Sequence, residues 1–264
     1  MTIENPGAEP INRLSDREEF ETNFFDFLLQ KAAQSGFSEA KQQAWAGYMY
    51  DPARGEETLN TFVSGCKLTF KSGVFPKEGK SQRALDIGCG FGSLMMALEK
   101  RFDYAAGIEI QQERVDWAKK RAPKSEIICG SAAQLPWQDN FFDVVISTDV
   151  FEHIPADVQQ LAAAEISRVL KPGGHAFISV PNRFQIKDEH NHVLFGTWLP
   201  NRLREKYVML ASKNKRYERC WERSRLGWTR LFANQGLQVS LEALKPRILS
   251  SLLPATRYNL YLTK

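Results

Sequence analysis

No run in this chain approaches the roughly 18 consecutive apolar residues that a membrane-spanning helix needs, and residues 1–10 carry neither a basic start nor an apolar stretch of the kind that directs secretion. Cysteine is scarce. The four present, Cys66, Cys89, Cys129 and Cys220, lie far apart with no Cys-x-x-Cys and no nearby pair of histidines, so their spacing predicts neither a zinc site nor a disulfide framework. Together these absences predict a cytoplasmic protein. A strong excess of one charge is also missing: 35 Lys and Arg against 31 Asp and Glu leave a net charge of +4, well short of the clustered basic surplus of a dedicated nucleic-acid binder. Internal repeats and low-complexity tracts are absent too. What the chain does have is 264 residues, 43% of them hydrophobic, which is room for one α/β domain with added segments.

The first 80 residues read as helical. Ser15-Asp16-Arg17-Glu18 has the form of a capping box, and Phe20, Phe24, Phe27 and Leu28 follow at helical spacing on one face. A second helix is predicted over about 38–48, and Asp51-Pro52-Ala53-Arg54-Gly55 separates it from a third over about 56–67. From Arg83 the pattern changes to short apolar runs alternating with helices, with strands at 84–87, 105–110, 126–129, 142–147 and 175–180 and helices at 93–100, 112–121 and about 156–170. Such alternation predicts parallel βαβ units with strands buried on both faces. After Pro181 the regularity stops for a segment rich in Trp, Tyr, Lys and Arg, then returns as a helix at 226–234 and strands at 237–244 and 257–262. The expected organisation is a helical cap over 1–80 and an α/β domain over 81–264, with an insert at about 183–225.

The motif that carries chemistry is Asp86-Ile87-Gly88-Cys89-Gly90-Phe91-Gly92, where the first strand meets the next helix. Glycines at such a junction let a ligand approach the backbone and meet the free N–H groups of the helix start. The Gly-x-Gly-x-Gly spacing differs from the Gly-x-Gly-x-x-Gly that cradles a dinucleotide pyrophosphate, which disfavours a nicotinamide-dependent dehydrogenase. Glu109 stands at the end of the second predicted strand, where a carboxylate can accept hydrogen bonds from both hydroxyls of a ribose. Asp86 has a purely structural reading beside the functional one, since it can tie down the glycine turn through backbone amides.

Four elements, Leu85 to Gly92, Phe142-Asp143-Val144-Val145-Ile146, Phe151-Glu152-His153-Ile154 and Leu170-Lys171-Pro172-Gly173-Gly174, follow in order over about residues 83–182. Together they closely resemble the class I S-adenosylmethionine-dependent methyltransferases, in the broad group acting on small molecules, lipids and sugars. The resemblance implies a Rossmann-like α/β fold, a seven-stranded, mostly parallel sheet with an antiparallel last strand, and S-adenosylmethionine as cofactor. It also implies that Asp86 and the backbone of Gly88, Cys89, Gly90 and Gly92 face the methionine end, that Glu109 holds the ribose, and that Ile110 packs on adenine. The chain departs from the family at Gly130-Ser131-Ala132, where many relatives have Gly-Asp-Ala. The carboxylate to the adenine amino group is therefore missing, leaving Ser131, Ala132 and Leu135 to line the ring. Lys171 to Gly174 reads as a helix stop and turn.

Methyl transfer from an activated sulfonium is mostly a matter of positioning, with a general base needed for a hydroxyl acceptor. His153 and His192 are the expected bases, with His190 beside the latter. Asp149, Glu152 and His153 are spaced to converge, and some quinone-pathway methyltransferases similar here bind a divalent cation. Oxygen-ligand sites need further partners that the spacing does not supply, so the expected role is packing and no metal is assigned. The segment from Arg202 to Arg230 is basic, with Arg202, Arg204, Lys206, Lys213, Lys215 and Arg216 among its cations and Tyr207, Tyr217, Trp221 and Trp228 among its aromatics. It reads either as a solvated face or as a surface for phosphate or an anionic membrane. The expected activity is methylation of a small molecule, with a sugar, glycan intermediate or lipid-linked acceptor favoured. A non-catalytic cofactor-binding partner or regulator is the alternative that Ser131 keeps open. The oligomeric state is not encoded in any of these features.

Overall fold

A computed structural model describes residues 14–70, 82–212, 217–244 and 254–264, the side chains of 14–17 and 67–70 excepted. Three helices, α1 (Leu14–Gln34), α2 (Glu39–Tyr50) and α3 (Ala53–Phe70), precede the sheet. Strands β1 (Arg83–Ile87), β2 (Tyr104–Glu109), β3 (Glu126–Cys129), β4 (Phe142–Thr148) and β5 (Leu170–Pro181) are mutually parallel, with helices α4 (Ser93–Arg101), α5 (Gln112–Arg121) and α6 (Val158–Val169) between them. After α7 (Asn201–Ala211) and α8 (Arg225–Ala233) come β6 (Gln238–Leu244) and β7 (Arg257–Thr263). The seven-stranded order is β3-β2-β1-β4-β5-β7-β6, and β7 runs antiparallel to both its neighbours. The chain thus works outward from β1 to β3 and then crosses back to β4 on the other side of β1. At this reversal the loops after β1 and β4 leave in opposite directions, and it is in the crevice outside the carboxyl ends of such strands that open α/β sheets bind ligands.

Both faces of the sheet are covered, as the apolar runs require. Leu85, Ile87, Val145, Ile178 and Leu260 pack under α6 and α8, while Ala84, Val144, Ile146, Phe177 and Tyr261 pack under α3, α4 and α5. The alternation in β1 places Asp86 on the second face, beside Ala84, in an otherwise apolar layer.

Several boundaries differ from expectation for local reasons. Ser15 lies inside α1 rather than at its cap. The Asp51-Pro52 pair alone separates α2 from α3, because Asp51 Oδ1 accepts the N–H of Ala53 at 2.8 Å and starts the helix there. Gly55 is consequently helical, and its missing side chain is what lets α3 lie on α4, since an added Cβ would collide with the carbonyl of Ser93. Lys171-Pro172-Gly173-Gly174 is not a free turn: β5 begins at Leu170 and runs through it. The register with β4 slips between Phe142 and Val144, Gly173 sits at φ +75°, and its N–H donates to the Lys264 carbonyl at 2.9 Å.

The insert contains α7, which its polar sequence hides. Two members of the expected basic and aromatic surface are interior instead. Arg204 is buried among carboxylates, and Trp228 is fully buried with its indole N–H donating to the Pro181 carbonyl at 3.1 Å. Lys213, Lys215 and Arg216 lie outside the described residues. No helix among the described residues is long and apolar enough to cross a membrane.

Candidate active site

The loop after β1 is held in shape from below. The N–H groups of Gly88 and Cys89 both donate to the Ile108 carbonyl of β2, at 2.8 and 3.1 Å. Gly88, Gly90 and Gly92 all have positive φ, at 77°, 52° and 82°, a conformation that costs a side-chain-bearing residue on the order of 1–2 kcal/mol. Their surroundings differ. A Cβ on Gly88 would collide with Val150, and one on Gly92 would press on Ala118 of α5, whereas nothing lies within 4 Å of one on Gly90. Gly90 therefore presents bare backbone to open space at the mouth of the crevice.

Asp86 closes the base of this loop. It is 4% exposed, and no hydrogen bond among the described residues reaches its carboxylate. Burial, reinforced by the nearby Glu109 carboxylate, pushes its pKa from 3.8 to about 8, so the group is mostly protonated at neutral pH. The same surroundings push the Cys89 thiol well up, through burial and then the two carboxylates, which makes it inert packing.

Glu109 is 5% exposed and fixed by two backbone donors, Gly90 N–H to Oε2 at 3.1 Å and Gln111 N–H to Oε1 at 3.0 Å. A carboxylate has about four acceptor directions, so about two remain for a ligand diol. Next to it Ile110 is 72% exposed, an apolar side chain offered to the crevice. The Gly130 N–H donates to the Glu109 carbonyl at 3.0 Å, bringing the loop after β3 alongside. There Ser131 is exposed and its hydroxyl accepts the Ala133 N–H at 3.2 Å, while Ala132 is half-buried. Leu135 is buried in the core beneath, with its N–H held by Glu165 at 2.7 Å.

Helix α1 rests on this loop through aromatic contacts: Phe24 and Phe27 pack on Phe91 of the glycine loop and on Trp117 of α5, with centroids 4.9–6.0 Å apart. Buried Arg121 ties the pieces together. Its guanidinium donates to the carbonyls of Phe91 (2.9 Å) and Tyr50 (2.7 Å) and stacks 4.8 Å from the Phe24 ring.

On the opposite side, beyond β4, the expected convergence of Asp149, Glu152 and His153 does not form. Asp149 pairs with Arg257, which also holds Glu189 at 2.6 Å. Glu152 turns inward, fully buried, with neither carboxylate oxygen hydrogen-bonded among the described residues, and burial and then Asp149 raise its pKa to about 8. His153 turns toward the insert, with Nδ1 3.5 Å from Glu218 Oε1 and 3.8 Å from Cys220 Sγ, and burial and then His190 lower its pKa. His192 is exposed at φ +57°, within electrostatic reach of Lys187 and of Lys41 on α2. The insert and the helical region therefore approach each other around the crevice.

Residues 85–178 match the family described as methyltransferase domain. The chain is 36% identical over 105 residues to the biotin biosynthesis bifunctional protein BioHC of Cellvibrio japonicus, covering 39% of this chain and 20% of that protein. It is 27% identical over 159 residues to a ubiquinone biosynthesis O-methyltransferase of Coxiella burnetii, covering 59% and 64%. It thus spans less than two thirds of the length of these curated relatives. An S-adenosylmethionine-dependent methyltransferase from Mesorhizobium loti superposes with a TM-score of 0.56 over 72% of this chain and 94% of that one, at 15% identity, a likeness of fold. Residues 85–178 thus carry a methyltransferase domain, on a fold shared with S-adenosylmethionine-dependent methyltransferases.

The residues of this methyltransferase domain fit the family's cofactor. The unpartnered Asp86 carboxylate suits a cationic ligand end, the open backbone at Gly90 suits close approach, and the spare acceptor directions of Glu109 suit a ribose diol. Four residues escape a reading by motif. Arg121 reads as one more cation at the end of a helix, and its role depends on a carbonyl 71 residues away. Asp188, Arg204 and Glu222 form a buried ion triad, with Arg204 2.9 Å from Asp188 and 2.6 Å from Glu222, assembled from three distant segments of the insert.

Proposed function

We propose that the protein transfers the methyl group of S-adenosylmethionine to a hydroxyl on a small acceptor that is held in, or presented at, a lipid surface. The observation that supports methyl transfer most strongly is Asp86, a buried carboxylate with no hydrogen-bond partner among the described residues, at the switch point of the sheet and beside Glu109. When bound, the cofactor supplies a methyl group already activated by its sulfonium. The chain then has to place, shield and deprotonate. Asp86 supplies the counter-charge, Glu109 fixes the ribose, and the aromatic contacts of α1 with Phe91 close the helical side against water. Orientation alone is worth about 7–11 kcal/mol of barrier.

Of the two expected bases, His192 is the free one, since His153 is engaged with Glu218 and Cys220. Burial and then Lys187 and Lys41 hold the His192 imidazole below its ordinary pKa, which keeps it neutral and able to accept a proton at pH 7. A hydroxyl acceptor is supported by the O-methyltransferase among the relatives. The lipid setting is supported by the insert, which exposes Leu194, Phe195, Trp198, Leu203 and Leu210 next to Arg202 and Lys206, a combination suited to an anionic interface.

The test supplies the full chain with cofactor labelled in the methyl group and with phenols of equal ring but different tail, in vesicles containing anionic lipid. Label in the long-tailed phenol together with released S-adenosylhomocysteine is expected. Label confined to the water-soluble phenol refutes the lipid setting, cofactor binding without transfer to any acceptor favours the non-catalytic partner, and absence of cofactor binding refutes the whole reading.

A further inference from the structure

We propose that His153, His190, Glu218 and Cys220 form a binding site for a zinc-class divalent cation that clamps the insert to the end of β4. One ligand atom from each of the four lies within 4.8 Å of every other. Nδ1 of His153 is 3.5 Å from Glu218 Oε1 and 3.8 Å from Cys220 Sγ, and the imidazole rings of His153 and His190 stand at 87° with centroids 4.9 Å apart. A tetrahedral zinc with bonds of about 2.0–2.3 Å needs ligand atoms about 3.3–3.8 Å apart, so the measured pairs require almost no movement. Two nitrogens, one oxygen and one sulfur select a borderline-soft cation over Mg2+ or Ca2+, which take oxygen ligands.

A second, independent observation points to the same place. Nδ1 of His190 is buried with no hydrogen-bond partner among the described residues, while its Nε2 faces Glu152 Oε1 at 4.0 Å. Glu152 is itself fully buried with both oxygens unpartnered. An imidazole that binds metal through one nitrogen and donates its other N–H to a buried carboxylate is the usual outer arrangement of such sites, and it would satisfy both orphans at once. The frame is braced before any ion arrives. Asn191 holds Glu218 through both its N–H (2.8 Å) and its carbonyl (3.0 Å), and the Trp221 N–H donates to the Glu152 carbonyl at 2.7 Å. The neighbouring set Asp188, His190 and Glu222 is a poorer candidate, because Arg204 already pairs with both of its carboxylates. The half-open side chains of His153 and Glu218 leave an entry path from solvent. On binding, the Cys220 thiol proton passes to water and the sulfur bonds to the ion.

This inference stands apart from the methyl-transfer reading. The test titrates the metal-stripped full chain with Co2+, following the ligand-field bands of tetrahedral cobalt and the near-ultraviolet thiolate-to-cobalt charge-transfer band, then displaces it with Zn2+. One ion per chain is expected, with the charge-transfer band lost in Cys220→Ser and affinity lowered at least tenfold in His190→Ala. Glu152→Gln should weaken binding about 10–100-fold without removing the band. Circular dichroism and calorimetric binding of S-adenosylhomocysteine check that each variant is folded. A chain that binds S-adenosylhomocysteine but shows no charge-transfer band, or a band that survives in Cys220→Ser, overturns the site while leaving the methyltransferase reading untouched.

Discussion

Binding of S-adenosylmethionine should expel a proton from Asp86. Burial and then Glu109 hold its pKa at about 8 in the free protein, so at pH 7 about nine molecules in ten carry the proton. A cationic ligand end needs the carboxylate ionised, and binding must therefore release about 0.9 proton at pH 7, a penalty of about 1.4 kcal/mol. Affinity should rise roughly tenfold for each unit of pH up to about 8 and then level off. Calorimetric titration in buffers of different ionisation enthalpy reads the released proton directly, and Asp86→Asn, which keeps the ligand's own ionisation, supplies the baseline. The sign for folding is the reverse. A carboxyl whose pKa is higher folded than unfolded favours the fold below about pH 4 and loses that contribution as pH rises toward 8. Asp86→Asn should therefore stabilise the free protein at pH 7, by at most about 4 kcal/mol, while it weakens cofactor binding. Affinity that is flat between pH 6 and 8 with no proton release would refute the reasoning.

Three further perturbations test other parts of the site. Glu109→Ala removes the two acceptor directions assigned to a ribose and frees the Gly90 and Gln111 N–H groups; cofactor affinity measured by calorimetry should fall at least about a hundredfold, and unchanged affinity would remove Glu109 from the site. Arg204→Ala leaves Asp188 and Glu222 buried and unpaired, so denaturant melts should show a loss of about 3–5 kcal/mol; a loss under about 1 kcal/mol would mean that the triad is solvated. His192→Ala should lower kcat/KM for a hydroxyl acceptor about a hundredfold or more and abolish an acid limb lying below the ordinary histidine pKa, where burial and then Lys187 and Lys41 place it; a limb that persists in the variant assigns the proton transfer elsewhere.

The sheet was legible in the sequence because the parallel strands are short, mostly apolar runs alternating with helical segments. Ala84 to Ile87, Glu126 to Cys129 and Gln112 to Arg121 match the observed elements to within a residue. The antiparallel β7 also follows the resemblance. The failures share a physical cause: they lie where tertiary contacts override a local signal. Gly55 looks like a helix breaker until α4 packs against it, and Lys171 to Gly174 looks like a turn until the chain terminus pairs with it. Arg204 sits in a run of surface-like cations and yet is the most polar part of the insert's interior. Helix α7 buries only Arg204 and Val208, so no apolar stripe marks it.

The same contrast explains how the molecule divides its work. The cofactor half of the crevice is built from residues close in sequence, with Asp86, the glycine loop and Glu109 lying within 24 positions of one another and cross-tied through the Ile108 carbonyl. Such a unit can match a family over 85–178 and still say little about the acceptor. The half to which we assign the acceptor is built from Glu152, His153, Asp188, His190, Arg204 and Glu218 to Glu222, brought together by ion pairs and backbone bonds across gaps of up to about 70 positions. Its carboxylates are held by a single buried guanidinium on one side and face two imidazoles on the other. Removal of any one of these charges leaves a partner buried and unpaired, and on the proposed function it is expected to alter how an acceptor is held. Variation in acceptor among proteins of this architecture is thus expected to track the charged interior of the insert rather than the glycine loop, and exchanging residues 183–225 between two such proteins should transfer acceptor preference while cofactor affinity stays within about tenfold.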